Sequence, residues 1–351
     1  MSWVTELARP DIVALKSYEH APWVPEFARL HANELPWRPI SDESDSGLHR
    51  YPEPQPKALV ARLAELYRVP RPNLLITRGS DEAIDLLVRA YCRAGEDSVL
   101  ICPPTFGMYR VAAQIQGAQV IGVPLVRDAG YALDAERLLE RCDQRVKLVF
   151  LCSPNNPTGN LLSQAAILET LDALKGRALL IVDEAYIEFS DRPSLTTHLG
   201  CHPHLAILRT LSKAHGLAGA RLGALIADPE VIVLLQKLVA PYAINQLTLE
   251  SALRLLSASH LRLLHRRIAQ VRRERERLRA GLSQLTGVIE VFPSDANFLL
   301  TRFHDPEHML RRSHHAQLLV RDVRAYSGLE DALRITVGTS EQTDRLLKAW
   351  A

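Results

Sequence analysis

The sequence predicts an α/β protein built on a mostly parallel, seven-stranded sheet lying between two layers of helices. Three observations lead there. From about residue 57 to 228, short apolar, β-rich runs alternate with helical patterns, the signature of strand-helix-strand units. The polar segments that carry chemistry fall directly after several of those runs, at the carboxyl edge where open α/β sheets bind ligands. The chain's 351 residues are 47% hydrophobic and 23% charged, an ordinary globular balance long enough for two domains.

The elements follow in order. A strand near 74 to 77 runs into Gly79, Ser80 and Asp81, and an amphipathic helix begins there with apolar Ile84, Leu87, Val88 and Tyr91 on one stripe. Gly79 permits close backbone approach, and the free amides of Ser80, Asp81 and Glu82 at a helix start suit one phosphate. No GKS or GKT follows and GxGxxG is absent, which excludes a P-loop and a dinucleotide fingerprint. The strand near 98 to 102 leads through PPTF to Tyr109, an aromatic able to stack on a planar ring. Further strands are expected near 118 to 123 and 147 to 152, the latter ending in SPNNPTG, whose Asn156 offers a side-chain amide.

The strand near 178 to 182 ends in Asp183 and Glu184, with Tyr186 close behind. A carboxylate at the end of a buried strand is costly unless a cation faces it. The strand near 205 to 209 opens TLSKAHGLAGARLG, in which Lys213 is followed eight positions later by Arg221, before the seventh strand near 223 to 227. A lysine among small hydroxyl residues, beside a fixed arginine, suits a Schiff-base lysine next to a phosphate site. Thr210, Ser212 and Arg221 are the right types to hold that phosphate.

Each motif alone has an ordinary alternative: a surface lysine, turn chemistry for NNPTG, a solvated acidic pair at a helix start, a core position for Tyr109. Together they point to pyridoxal phosphate. Lys213 would be nucleophile and proton carrier, Asp183 would keep the ring nitrogen protonated, Asn156 and Tyr186 would face the phenolic oxygen, and Tyr109 would cover the ring.

These segments, with LHANELPW, RYPEPQP and LRITVGT, resemble the fold type I pyridoxal-phosphate aminotransferases (the aspartate-aminotransferase-like superfamily), and within them the histidinol-phosphate aminotransferase family, over nearly the whole chain. The resemblance implies an arm at 1 to 45 packed on a small domain, a large cofactor domain at 46 to 258, a joining helix at 259 to 285 and a small α+β domain at 286 to 351. That last domain would hold strands near 288 to 301, 318 to 323 and 332 to 337. It implies transamination of L-histidinol phosphate with 2-oxoglutarate, yielding glutamate. It also implies a homodimer in which Tyr51 reaches the neighbouring subunit's cofactor phosphate, and a phosphate contact from Tyr18. Arg334 and Arg321 could hold the substrate's phosphate or carboxylate through planar forks, or be surface ion-pair formers. Aminotransferases for aromatic or other amino acids and phospho-amino-acid decarboxylases share the cofactor residues and stay open. His215 departs from the family pattern, which has an aromatic or bulky apolar residue there.

A net charge of +2 gives no field for nucleic acid or anionic membrane, and no apolar stretch approaches the roughly 20 residues of a span. The basic run at 259 to 285 carries a helical stripe interrupted at Arg275, with Glu274 and Glu276 among its arginines. It reads as a solvated helix face rather than a polyanion site. The histidines of CHPH and of 304 to 315 match no zinc spacing, so no metal is expected, and GxSxG is absent. Five scattered cysteines and the lack of a signal-like apolar stretch give the expectation of a reducing cytoplasm. An aminotransferase-like regulator would need a helix-turn-helix segment, which the sequence does not show.

Overall fold

The computed structural model describes residues 2–22, 24 and 27–351. Seven strands form the large sheet: β1 (Leu74–Thr77), β2 (Ser98–Ile101), β3 (Gln119–Gly122), β4 (Val146–Cys152), β5 (Leu179–Asp183), β6 (Leu205–Thr210) and β7 (Gly223–Ile226). Their order is β1-β7-β6-β5-β4-β2-β3, and only β7 runs antiparallel to its neighbours. The reversal has a simple cause. The link from β6 to β7 carries a single 3-10 turn, Ala218–Ala220, too little for the crossover that a parallel neighbour needs.

Alternate side chains of the central strands feed two cores. Val149, Leu151, Leu180 and Val182 point to one face, into a core shared with Ile167 and Leu171 of the helix Gln164–Ala173 and with Leu59 and Leu63 of the helix Lys57–Tyr67. Leu148, Phe150, Leu179 and Ile181 point to the other, beneath the helices Ser80–Tyr91 and Met108–Gln116. Six of the seven strands are buried on both faces and read as continuous apolar runs, while the edge strand β3 is only partly covered.

The second sheet, ordered β10-β11-β9-β8, is antiparallel: β8 (Val288–Val291), β9 (Phe298–Phe303), β10 (Arg321–Asp322) and β11 (Ala332–Thr336). The single strand expected near 288 to 301 is therefore two. Residues 292 to 297, FPSDAN, turn the chain between them, and a turn-rich insert of that kind outweighs the apolar character of its flanks.

The helix Ala258–Leu282 joins the domains. Arg275, where its apolar stripe breaks, is buried, and its guanidinium donates to the carbonyls of Ala296 (2.9 Å) and Phe189 (3.4 Å). The break is thus a polar rivet between helix, large domain and small domain.

The expectation that the arm packs on the small domain is corrected. The helix Trp3–Glu6 lies on the large domain, with Val4 wholly buried and Ser2 and Thr5 donating to Glu230 of the helix Pro229–Gln236. Its apolar side chains find the outer core of the large sheet first. Farther along the arm, Leu30, Leu35, Trp37 and Ile40 remain exposed.

Candidate active site

The carboxyl ends of β4, β5 and β6 supply Cys152, Asp183 and Thr210 to one cleft of about 450 Å³, closed on its far side by the small sheet. Ser80, Asp81, Asn156, Tyr186, Ser212, Lys213, Arg221, Arg321 and Arg334 line the same space. Thus eleven of the expected site residues, drawn from across the chain, converge.

At one end lies an anion cradle. Gly79 sits at φ +79°, and the helix Ser80–Tyr91 begins there without a side-chain cap, leaving its first amides available. A Cβ on Gly79 would lie 2.8 Å from Arg221 Nη2, so only glycine fits on both counts. Gly223 of β7 lets the cradle sit close, since its own Cβ would meet Ser80 N at 2.7 Å. Arg221, in the left-handed region at φ 54°, is held by Asp81 (3.1 Å), the Ala218 carbonyl (3.2 Å) and Ser212 Oγ (3.4 Å). The Ser212 amide donates to Thr210 Oγ1 at 3.1 Å, which orders the loop leading to Lys213.

In the middle, Asp183 is 2% exposed and forms no ion pair among the described residues. Its oxygens accept from the Ala185 amide (3.0 Å) and the Tyr109 hydroxyl (2.7 Å). Burial raises its pKa to about 6, with those two bonds opposing the rise. A carboxylate so placed calls for a cation from outside the chain. Lys213 Nζ lies 5.6 Å from the centre of the Tyr186 ring. Its pKa is lowered by desolvation first and by the Arg334 charge second, Asp81 and Asp183 opposing. Burial also pushes the Tyr186 phenol up, and Asn156 Nδ2 donates to it at 3.4 Å.

At the other end, Arg321 and Arg334 are register partners on β10 and β11. Arg334 donates to Asn156 Oδ1 and lies over the Phe298 ring, 5.1 Å from its centre. Among the described residues neither arginine pairs with a carboxylate.

Tyr109 does not stack in the cleft. It is 0% exposed, its ring lies parallel to Phe150 at 4.8 Å, and its hydroxyl serves Asp183. Of this segment's two aromatics, the one that lines the cleft is Phe106, three residues earlier, which sequence reasoning passed over. The signal was there: Phe106 precedes the helix Met108–Gln116, whereas Tyr109 lies in its first turn and turns inward. Met108, Val111, Val323 and Tyr326 were also missed.

Tyr51 and Tyr18 lie outside the cleft as well. Tyr51 stacks on Tyr242 at 4.6 Å, Tyr242 meets His20 edge-on at 5.3 Å, and His20 meets Tyr18 at 5.3 Å. Tyr51 and Tyr242 border a separate surface hollow of about 490 Å³.

The residues present fit pyridoxal phosphate. The uncapped helix start and Arg221 suit its phosphate, the uncompensated Asp183 its ring nitrogen, Asn156 and Tyr186 its phenolic oxygen, Phe106 a ring face, and the partly desolvated Lys213 its aldehyde. The family comparison agrees with this chemistry. The family described as Aminotransferase class I and II matches residues 16–349, and the chain belongs to it: the protein is a pyridoxal-phosphate-dependent aminotransferase.

Within that family it falls among the histidinol-phosphate aminotransferases. The protein of that name from Xanthomonas euvesicatoria pv. vesicatoria is 48% identical over 99% of this chain and 97% of its own. The one from Xylella fastidiosa strain 9a5c is 51% identical over 91% of this chain and 87% of its own. The solved histidinol-phosphate aminotransferase of Sinorhizobium meliloti, in complex with pyridoxal-5'-phosphate, shares the fold at TM-score 0.77 and 24% identity, covering 86% of this chain and 82% of that one. An L-threonine-O-3-phosphate decarboxylase from Porphyromonas gingivalis superposes at TM-score 0.73 with 26% identity, covering 86% of this chain and 90% of that one.

Proposed function

We propose that the protein transfers the amino group of L-histidinol phosphate to 2-oxoglutarate, giving imidazole acetol phosphate and glutamate in histidine biosynthesis. The observation that carries this reading is the pair of register-matched arginines, Arg321 and Arg334, at the end of the cleft and, among the described residues, without carboxylate partners. Two planar forks can take a phosphate monoester or, in the second half of the reaction, a carboxylate.

The cofactor supplies a carbonyl for the incoming amine and a ring that withdraws electrons from the substrate's α-carbon. The chain does the rest. Lys213 Nζ, its pKa lowered by desolvation, would hold the cofactor's aldehyde as the amine nucleophile. Once released by the substrate amine, it would move the proton from the substrate's α-carbon to the former aldehyde carbon, a path the second half-reaction reverses. Asp183 would hold the cofactor's ring nitrogen in its protonated form and so sustain the electron withdrawal, and the Tyr109 hydroxyl supports that carboxylate by donating to it. Asn156 links the two ends of the site, donating to Tyr186 and accepting from Arg334. Arg334 and Arg321 orient the substrate so that its α-carbon faces the lysine.

The experiment is a comparison of kcat/KM for L-histidinol phosphate, L-tyrosine and L-phenylalanine with 2-oxoglutarate as acceptor. The phosphate ester is expected to be preferred; a preferred aromatic amino acid would move the substrate and leave the class intact. In the same assay Arg334→Ala is expected to raise KM for both L-histidinol phosphate and 2-oxoglutarate by at least about tenfold, the value of one charge-assisted bond. Unchanged apparent affinity for both would refute the clamp.

The reading includes a homodimer in the cytoplasm. Leu30, Leu35, Trp37 and Ile40, which flank in sequence the Asn33 and Glu34 that line the Tyr51 hollow, are exposed, and exposed apolar side chains of this kind suit a surface that a second copy covers. Tyr51 lines the separate hollow and not its own chain's cleft, which favours service to a neighbour's phosphate cradle. Sizing at micromolar protein is expected to give a dimer; a fully active monomer would exclude a shared site. No described helix is long and apolar enough to cross a membrane, and the five cysteines are unpaired, four of them buried.

A further inference from the structure

The segment after β10 crosses from the small domain to the large one. Val323 and Leu329, 1% and 0% exposed, sit in the core of the large sheet, and Arg127 of the large domain donates to the Gly328 carbonyl at 3.2 Å. Two backbone bonds, Tyr326 N to Val323 O and Leu329 N to Tyr326 O, both 3.0 Å, fold the residues between into consecutive turns. The segment is a strap pinned at both ends. Tyr326 stands at its middle, half-buried, and faces the cleft beside Arg321 and Arg334. Its hydroxyl lies 3.9 Å from where a Cβ on Gly107 would be, so the phenol reaches to the large domain's wall. Among the described residues that hydroxyl makes no hydrogen bond to protein, although it faces a site rich in donors and charge.

We propose that Tyr326 is a specificity-determining residue, its hydroxyl adding a donor to the Arg321–Arg334 clamp for the third oxygen of a phosphate monoester. The inference rests on the substrate reading above and deepens it. A monoester carries three terminal oxygens and nearly two charges at neutral pH, while a carboxylate carries two oxygens and one charge. Two arginine forks can saturate the two oxygens of a carboxylate, whereas the three oxygens of a phosphate offer more acceptor sites and leave a place for a further donor. A phenol fixed by buried anchors on both sides can meet that oxygen without first being ordered, so little entropy is lost. A site built to bond a substrate atom discriminates against ligands lacking it far more sharply than an apolar wall does.

The test is Tyr326→Phe in the cofactor-loaded enzyme, since phenylalanine keeps the ring on its strap and removes only the hydroxyl. Half-reaction kcat/KM is measured with L-histidinol phosphate and with L-glutamate, and inhibition is measured with inorganic phosphate and with succinate. The ratio of the two kcat/KM values is expected to fall by about tenfold toward glutamate, and inhibition by phosphate to weaken by a similar factor relative to succinate. An equal loss for both ligands of a pair would mean that the ring only packs, and no loss would mean that the hydroxyl is idle; either overturns the proposal. If the unsubstituted enzyme does not prefer the phosphate ester, the substrate reading fails, and the phosphate-to-succinate ratio still decides the role of the hydroxyl.

Discussion

Lys213→Ala is expected to reduce turnover by about 10⁴-fold or more, because one side chain is both the nucleophile that holds the aldehyde and the base that moves the α-proton. Lys213 is the only lysine lining the cleft among the described residues, so no neighbour can substitute. The cofactor should still bind, since the cradle formed by Gly79, Ser80, Asp81, Thr210, Ser212 and Arg221 is untouched. Its absorbance should be that of the free aldehyde rather than of a lysine-linked chromophore, and added methylamine should restore part of the activity. Substantial residual turnover in the variant would show that another group carries the proton.

Asp183→Asn is expected to lower kcat by roughly a hundredfold to a thousandfold with little change in KM, the range seen when one preorganised electrostatic partner is removed. The side chain stays close in shape but loses the charge that holds the ring nitrogen's proton. A second readout does not depend on catalysis. In the cofactor-free protein Asp183 keeps its proton up to about pH 6, against an ordinary value of 3.8. Between those values the folded chain binds more protons than the unfolded one, so stability falls as pH rises through this window and is level above it. The fall should be on the order of 3 kcal/mol, and the Asn variant should lack it. Denaturant unfolding from pH 4 to 7 measures both; identical profiles would contradict the assignment of the buried proton to Asp183.

Much of the site was legible because each cofactor-facing residue follows an apolar run. A buried strand announces itself, and what comes next is the edge where ligands bind. Asn156, Asp183 and Lys213 could be placed that way without knowing how the strands are ordered. The aromatic was misassigned for a local reason. Phe106 and Tyr109 are three residues apart, and which of them faces the cleft depends on where the helix Met108–Gln116 begins, a boundary that apolar periodicity does not define to within a turn. Tyr326 was invisible because it belongs to no periodic element; two anchors in a distant core, Val323 and Leu329, position it.

The direction of β7 was hidden too, since an apolar run carries no arrow. Only the shortness of the link from β6 tells, and it is read properly once the turns at 211 to 222 are known. The arm misled for the opposite reason. Its apolar residues look like core, yet Leu30 is 95% and Trp37 76% exposed in the single chain, while Val4 is buried on the large domain rather than the small one. Composition distinguishes apolar from polar; it does not say which surface an apolar group will cover.

The central claim, an amine-transferring site that selects a phosphate ester, is tested most directly by following the absorbance of the cofactor-loaded protein during a single half-reaction. L-Histidinol phosphate should convert the lysine-linked aldehyde form to the amine form rapidly, and 2-oxoglutarate should reverse it, while L-tyrosine and L-phenylalanine act more slowly. No lysine-linked band at the outset, or no conversion by L-histidinol phosphate, would contradict the account.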